Sequence, residues 1–384
     1  MSDSKLRVMT VVGTRPEIIR LSRTMARLDE SFDHVVVHTG QNYDYQLNQI
    51  FFDQMGIRPP DHYLGVDTTS LGRVLGETLI GIEGLLERVA PDAVLVLGDT
   101  NSSIAALMAK RLRVPVYHME AGNRCFDENV PEEVNRRMVD HVADFNLVYT
   151  EHARRNLLAE GLPTRRIALS GSPMREVIDF YSPLIERSEI LKSLGLTSGD
   201  YFLVSAHREE NVDDPERLRS LVDTLEAVRS AHRLPVLVST HPRTKKRLAE
   251  LGSEVSKEVI LHEPFGFIDY IKLQKHARCV LSDSGTISEE SSIVGFPAVT
   301  LRESIERPEA LEAGSILACG LDPAVVLATI DLVVAQHASE GPASLPSGYE
   351  ITDCSRRVVN FIRSTAHVSH SWAGIRRGGP TAER

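Results

Sequence analysis

Short apolar runs alternate with longer amphipathic, helix-like stretches from one end of the chain to the other. Arg7–Val12, Val35–Val37, Ala93–Leu97, Val114–His118 and Phe145–Tyr149 read as strands, and most are followed by a helical pattern of about ten residues or more. This is the βαβ grammar of a parallel, doubly wound sheet. The grammar restarts at Tyr201–Glu209 and continues through Leu234–Thr240, Val259–His262 and Cys279–Ser282. The two openings resemble each other: a strand runs into Gly13-Thr14-Arg15-Pro16-Glu17 in one half and into Ala206-His207-Arg208-Glu209 in the other. The pattern therefore predicts an α/β fold of two Rossmann-like domains facing a cleft lined by strand ends from both. The boundary is placed between Gly171 and Ser182, giving domains 1–175 and 176–355. A Gly/Pro/Ser-rich loop from Gly341 to Ile351 precedes a last helix at 356–369, and the tail 370–384 is expected to fray.

Composition narrows the classes. A chain of 384 residues exceeds one ordinary core, and 42% apolar with 25% charged residues describes an ordered globular protein. A net charge of −10 argues against a non-specific nucleic-acid binder, so an acidic ligand would need a local cationic cluster. Cys125, Cys279, Cys319 and Cys354 are scattered without CxxC spacing and read as free thiols of a reducing compartment. No stretch approaches the roughly 18 apolar residues of a membrane span. The polar start, Met1 to Lys5, lacks the apolar core of a secretory signal. A soluble, cytoplasmic protein is expected.

Three acids stand at strand or helix ends within one stretch. Asp99 follows the 93–97 strand, Glu120 follows the 114–118 strand, and Glu132 opens a helix at Pro131. Open α/β sheets bind ligands at the carboxyl ends of their strands. Gly13 to Glu17 could cradle an anion at a helix N-terminus, with Arg15 and Arg20 adding charge. An ordinary turn with Pro at the first helical position accounts for the same residues. Ser282-Asp283-Ser284-Gly285-Thr286-Ile287-Ser288-Glu289-Glu290 is the matching feature of the second half. Its backbone donors suit a diphosphate and Glu290 could take two ribose hydroxyls. A plain capping box is the competing explanation. His207 with Arg208, and His241 with Arg243, add cationic or proton-donating groups at strand ends. The dinucleotide fingerprint GxGxxG is missing, and no His/Cys/Asp spacing suits a metal, so neither a nicotinamide cofactor nor a metal is expected.

Ten blocks in order then match one family: GTRPEIIR (13–20), HTGQNYDYQL (38–47), GDTNSS (98–103), HMEAGNR (118–124), PEEVNRR (131–137), GSPMREV (171–177), SAHREE (205–210), THPRT (240–244), SDSGTISEE (282–290) and ERPEA (306–310). The chain resembles the non-hydrolysing UDP-N-acetylglucosamine 2-epimerases over nearly its full length. The resemblance implies a GT-B-type pair of domains with UDP in the cleft and a final helix returning to the N-terminal domain. It implies a homodimer without cofactor. Within the family, HTGQNYDYQLNQIFF (38–52), HMEAGNRCFD (118–127) and GSPM (171–174) resemble the branch that forms UDP-N-acetyl-L-fucosamine from UDP-2-acetamido-2,6-dideoxy-L-talose for capsule or O-antigen. Arg20 stands where typical UDP-GlcNAc epimerases carry Lys. Leu64 to Ser70 lacks their Gly-Gln pair, which helps bind an activating second UDP-GlcNAc in bacterial members.

The chemistry implied by this resemblance breaks the C1–O bond to UDP, removes the C2 proton to give a 2-acetamidoglycal, and returns a proton to the opposite face. Asp99, Glu120 and Glu132 are the candidate acid/base groups, with His207. The leaving diphosphate calls for Arg15, His207 and the Ser284-Gly285-Thr286 turn; Arg20, Arg136, His241, Phe267, Glu290 and Arg307 complete the implied UDP-sugar site. Glu133 is expected to be the mild neighbour of Glu132, since adjacent helical residues do not share a face. The alternatives are formation of UDP-N-acetylmannosamine from UDP-N-acetylglucosamine, a hydrolysing epimerase, a non-catalytic sugar-nucleotide sensor and a GT-B glycosyltransferase, the last needing an acceptor site rather than acids at C2.

Overall fold

A computed structural model describes residues 5–40, 54–206, 208–240, 242–251 and 256–375, with only the backbone described at positions 209, 210, 242, 243, 249 and 251. The chain forms two compact units, 1–177 with 351–384, and 178–350.

In the first unit, the strands are β1 (Arg7–Val12), β2 (Asp33–His38), β3 (His62–Tyr63), β4 (Ala93–Leu97), β5 (Val116–Met119), β6 (Phe145–Val148) and β7 (Ile167–Leu169). They pair in the order β3-β2-β1-β4-β5-β6-β7. Every pairing is parallel, with Val8 beside both His34 and Ala93, and Leu97 beside Met119. β1, β4, β5 and β6 are buried on both faces, which is why they read as continuous apolar runs rather than alternating ones. β3 and β7 were not foreseen; at two and three residues they carry too little pattern to register.

One face of this sheet packs on the helix Arg15–Ser31 and on the late helix Cys354–Thr365. Cys354, Val358, Val359 and Ile362 recur at helical spacing and join Val8, Leu95, Tyr117 and Phe145 in one core. Each such side chain, fully buried, contributes roughly 1.5 to 3 kcal/mol. Polar ties pin the same helix: Tyr117 Oη and Thr365 Oγ1 are 2.7 Å apart, Arg27 Nε donates to Ser355 Oγ at 2.9 Å, and Ser355 N donates to Glu176 at 2.8 Å. The helix starts at Cys354, two residues before the expected 356. The expected fraying at His370 does not begin there. Ser369–Trp372 is a short helix, Trp372 lies 6.0 Å from the Phe145 ring, and His370 bonds the Arg113 carbonyl at 2.7 Å. The rest of the tail, 376–384, lies outside the described residues.

In the second unit, β8 (Phe202–Ser205), β9 (Val236–Ser239), β10 (Val259–His262), β11 (Cys279–Ser282), β12 (Ala298–Thr300) and β13 (Leu317–Ala318) pair in the order β10-β9-β8-β11-β12-β13, again all parallel. The flanking helices start where the sequence tells them to. Asp214 and Asp322 each accept two backbone N–H groups of the next turn, with Pro215 and Pro323 at the first helical position. Both sheets thus have the same order, with a reversal of winding between β1 and β4 and between β8 and β11. Among the described residues, no helix is long and apolar enough to cross a membrane.

Candidate active site

Ligands of open α/β sheets sit at the carboxyl ends of the strands, where the winding reverses. In the first unit, that rule selects the loops after β1, β4 and β5. These loops carry Gly13 to Glu17, Gly98 to Asn101, and Glu120. The nearby helix Pro131–Val142 begins with Glu132 and Glu133.

Glu120 pairs with Arg20, both side chains almost fully buried. Its backbone is left-handed, with φ of +64°, a conformation costing roughly 1 to 2 kcal/mol for a residue with a Cβ. The preceding strand loop comes close: a Cβ on Gly98 would stand 3.5 Å from Glu120 Oε2. Asp99 is held by Arg136, whose Nε and Nη2 donate to its Oδ2 at 2.9 and 2.5 Å. Asn135 donates to the Asp99 carbonyl at 2.9 Å, so consecutive residues of one helix fix both backbone and side chain of that acid. Glu132 is half-buried and has no hydrogen-bond or ion-pair partner among the described residues. The first unit therefore presents two acids gripped by arginines and a third that is not.

The turn after β1 is already filled from within. Glu17, fully buried, accepts Gly13 N at 3.0 Å, Thr14 N at 2.7 Å and Thr14 Oγ1 at 2.7 Å, and also Ser102 Oγ. Burial pushes its pKa up, against the pull of those hydrogen bonds. The anion cradle expected there is therefore closed by the protein's own carboxylate, at two of the N–H groups that would have bound a phosphate. Arg15 remains half-buried on the first turn of the helix.

Sequence reading set Glu133 aside, yet it is the more tightly wired of the two neighbours. It is 1% exposed and accepts from Cys125 N at 3.1 Å, Arg136 Nη1 at 3.0 Å and Arg137 Nε at 3.0 Å. Burial raises its pKa, but the Cys125 N–H and the arginines outweigh it and leave the carboxyl below its ordinary value. Glu133, Arg136, Val139 and Asp140 share the buried face of the helix. That charged stripe at helical spacing was the signal that could have marked Asp140, which sequence reasoning missed.

In the second unit, the loop after β11 holds Ser284, Gly285 and Thr286. Asp283 is fully buried and accepts Arg208 N at 3.0 Å and Asn211 Nδ2 at 3.1 Å, which ties this loop to the one after β8. Gly285 sits close under Glu306: a Cβ there would stand 2.5 Å from Glu306 Oε1, so that carboxylate would have to move for any larger residue. The capping-box explanation does not hold: Thr286 makes no side-chain cap, Glu289 pairs with Arg307, and Glu290 accepts Gln274 Nε2 at 2.6 Å. Arg307 also donates to the Gly285 carbonyl at 3.0 Å. Phe267 is buried, 6.1 Å from the Tyr181 ring. His207 and His241 lie outside the described residues. Arg20, Arg136 and Arg307, expected as ligand contacts, are each engaged with a protein carboxylate in this structure.

A cavity of about 430 Å³ in the second unit lies elsewhere, against Pro297, Ala298 and Leu317 at the amino ends of β12 and β13. The topology puts it on the wrong end of the sheet for a substrate. Among the described residues, no group of three or more His, Cys, Asp or Glu is placed to hold a metal ion.

Known proteins share this fold and much of this sequence. A family model described as UDP-N-acetylglucosamine 2-epimerase matches residues 25–363. A solved UDP-N-acetylglucosamine 2-epimerase from Rickettsia bellii is 42% identical, with a TM-score of 0.88, over 96% of this chain and 100% of that one. The Methanocaldococcus jannaschii UDP-GlcNAc 2-epimerase, solved in complex with UDP-GlcNAc and UDP, is 32% identical with a TM-score of 0.88, over 94% and 100%. A UDP-2,3-diacetamido-2,3-dideoxy-D-glucuronate 2-epimerase from Pseudomonas aeruginosa is 35% identical over 321 residues, covering 82% of this chain and 88% of that one.

Proposed function

The chain belongs to the UDP-N-acetylglucosamine 2-epimerase family, and from that premise we propose that it inverts C2 of a UDP-2-acetamido sugar by elimination and re-addition of UDP, its physiological substrate being UDP-2-acetamido-2,6-dideoxy-L-talose and its product UDP-N-acetyl-L-fucosamine. It is a UDP-sugar 2-epimerase, an isomerase. The observation that carries the mechanism is the trio Asp99, Glu120 and Glu132 at the carboxyl-end loops of one sheet and at the start of the adjoining helix. The C2 proton of the substrate is not adjacent to a carbonyl. Breaking C1–O, with the electron pair leaving on the β-phosphate, develops positive charge at C1 and acidifies C2–H. A carboxylate takes that proton as the C1–C2 double bond forms. A second acid then delivers a proton to the other face of C2, and the UDP oxygen re-forms its bond to C1.

Glu120 and Asp99 are each hydrogen-bonded by an arginine, and in this proposal they act as proton acceptors while Glu132 exchanges protons with solvent. Each should contribute about 10² to 10⁴ in rate. In the same proposal, the Ser284-Gly285-Thr286 turn, with His207, receives the diphosphate, and oriented donors of this kind are each worth about 3 kcal/mol. Glu290 takes the ribose hydroxyls, exchanging part of its bond to Gln274 for them. His241 and Phe267 belong to the nucleotide side. Neither a metal nor a nicotinamide enters any step, and a homodimer is the proposed assembly.

UDP-N-acetylglucosamine is the second reading. The relatives named for it favour it, and the diacetamido relative is a reminder that members of this family act on different acetamido sugars. Proton NMR of the protein with each UDP-sugar in D₂O decides both points. The expected result is faster conversion of the 2,6-dideoxy-L-talose derivative, with deuterium at C2 of the product. Faster conversion of UDP-N-acetylglucosamine would move the substrate assignment. Inversion that keeps the original C2 hydrogen would sink the elimination mechanism.

A further inference from the structure

Glu120 holds a left-handed backbone between two anchored neighbours, and both anchors lead to one buried carboxylate. Asp140 is fully buried on the inner face of the helix Pro131–Val142. Its Oδ1 and Oδ2 accept the Gly122 N–H at 3.2 and 3.1 Å, and Oδ2 accepts Arg124 Nη1 at 2.7 Å. His118 Nδ1 lies 2.9 Å from Oδ1, in contact but without hydrogen-bond geometry. On its other side, His118 Nε2 donates to the Gly98 carbonyl at 2.8 Å. Asp140 thus grips the residues two before and two after Glu120. Through His118 it also grips the residue just before Asp99.

The rest of the loop leaves little room for slack. A Cβ on Gly122 would stand 2.3 Å from the Ala153 carbonyl, and the Gly122 carbonyl accepts Asn156 Nδ2 at 2.9 Å. Arg124 is held from the far side by Glu160 at 2.8 and 2.7 Å. With those contacts fixed, a left-handed Glu120 costing about 1 to 2 kcal/mol persists only while its two flanks are tied down.

We propose that Asp140, acting through His118 and Gly122, is a positioning residue that sets the relative placement of the Asp99 and Glu120 carboxylates. This rests on the acid/base reading given above. It touches neither substrate nor reacting atoms. Its effect falls on turnover, because proton transfer tolerates misplacement of less than about an ångström.

The test compares Asp140→Ala, Asp140→Asn and His118→Phe in the full chain. Asp140→Ala removes every acceptor. Asp140→Asn can turn its amide toward His118 Nδ1 and keep an oxygen for Gly122 and Arg124, so it is the conservative rescue. Expected are a fall in kcat of about 10²-fold for Asp140→Ala, recovery to within about tenfold for Asp140→Asn, and KM and UDP affinity within about threefold throughout. His118→Phe should lose kcat like Asp140→Ala. In Asp140→Ala/His118→Phe the losses should not multiply. If Asp140→Ala fails to fold, His118→Phe decides. Wild-type kcat per folded molecule in either variant overturns the proposal. So does a loss that Asp140→Asn does not rescue. Asp99→Asn and Glu120→Gln are measured alongside. Full activity in those two overturns the acid assignment itself, whereas dead acid variants beside an active His118→Phe overturn only the positioning role.

Discussion

Two adjacent glutamates at one helix start divide into different tasks because a helix turns about 100° per residue. Glu133 faces inward to Cys125 N, Arg136 and Arg137, while Glu132 is half-buried without a partner among the described residues. Glu132→Gln keeps the shape and removes the transferable proton, so kcat should fall about 10²-fold or more with the melting temperature unchanged. Glu133→Gln turns an amide group toward donors at a buried site. A buried hydrogen bond to a charged group is worth about 1.5 to 3 kcal/mol, so stability should fall by about that amount. Since Glu133 also holds Arg136, which holds Asp99, some turnover should go with it. Off the site's face, Glu133 lies in the charged interior and not in solvent, so its substitution is expected to cost stability as well as some turnover. Turnover and thermal melts on both variants separate the cases, and a stable but dead Glu133→Gln would reverse the assignment.

At the level of strands, loops and helices, the buried late helix Cys354–Thr365 gives the cleanest stability test, because it carries none of the proposed chemistry. Ile362→Ala should cost about 2 to 5 kcal/mol in urea unfolding while leaving kcat per folded molecule unchanged. An unchanged unfolding midpoint would mean that the helix is not part of the folded core. The strands that form both sheet centres were legible in the sequence because burial on both faces writes an unbroken apolar run. β3, β7, β12 and β13 were not, since two or three residues give no period to read. Loop positions for Asp99, Glu120 and Ser284 to Thr286 followed from strand ends. What occupies their donors did not. Glu17 closing the turn after β1, and Asp140 holding Gly122, are side chains folding back on backbone N–H groups. Such returns depend on tertiary distance, which spacing along the chain does not encode. Arg20, Arg136 and Arg307 were visible as cations near the site, but their acid partners lie 100, 37 and 18 residues away.

For the molecule as a whole, buried histidines tie stability to mild acid. Burial lowers the pKa of His38 to about 4, and burial likewise lowers His34 although Asp29 pulls the other way. His38 Nδ1 accepts the Gly40 N–H at 2.9 Å, a bond that a proton on Nδ1 would break. A histidine depressed in the folded state binds fewer protons there than in the unfolded chain. Its contribution is therefore complete above the unfolded value of about 6.5 and is lost as pH falls toward the folded one. For His38 the full window is worth about 3 kcal/mol. Glu17 and Glu309, whose pKa values burial raises, bind protons more readily folded than unfolded and oppose this trend as the pH falls toward their range. Unfolding free energy should accordingly decline from pH 6.5 to 4, with a slope of the sign set by the histidines. His38→Asn keeps an acceptor for Gly40 while removing the titration, so its decline should be shallower than that of the wild type. Urea unfolding of both proteins at half-unit steps of pH measures the difference. Parallel curves would assign the acid sensitivity to His34 and the paired carboxylates instead, since those groups titrate unchanged in the variant.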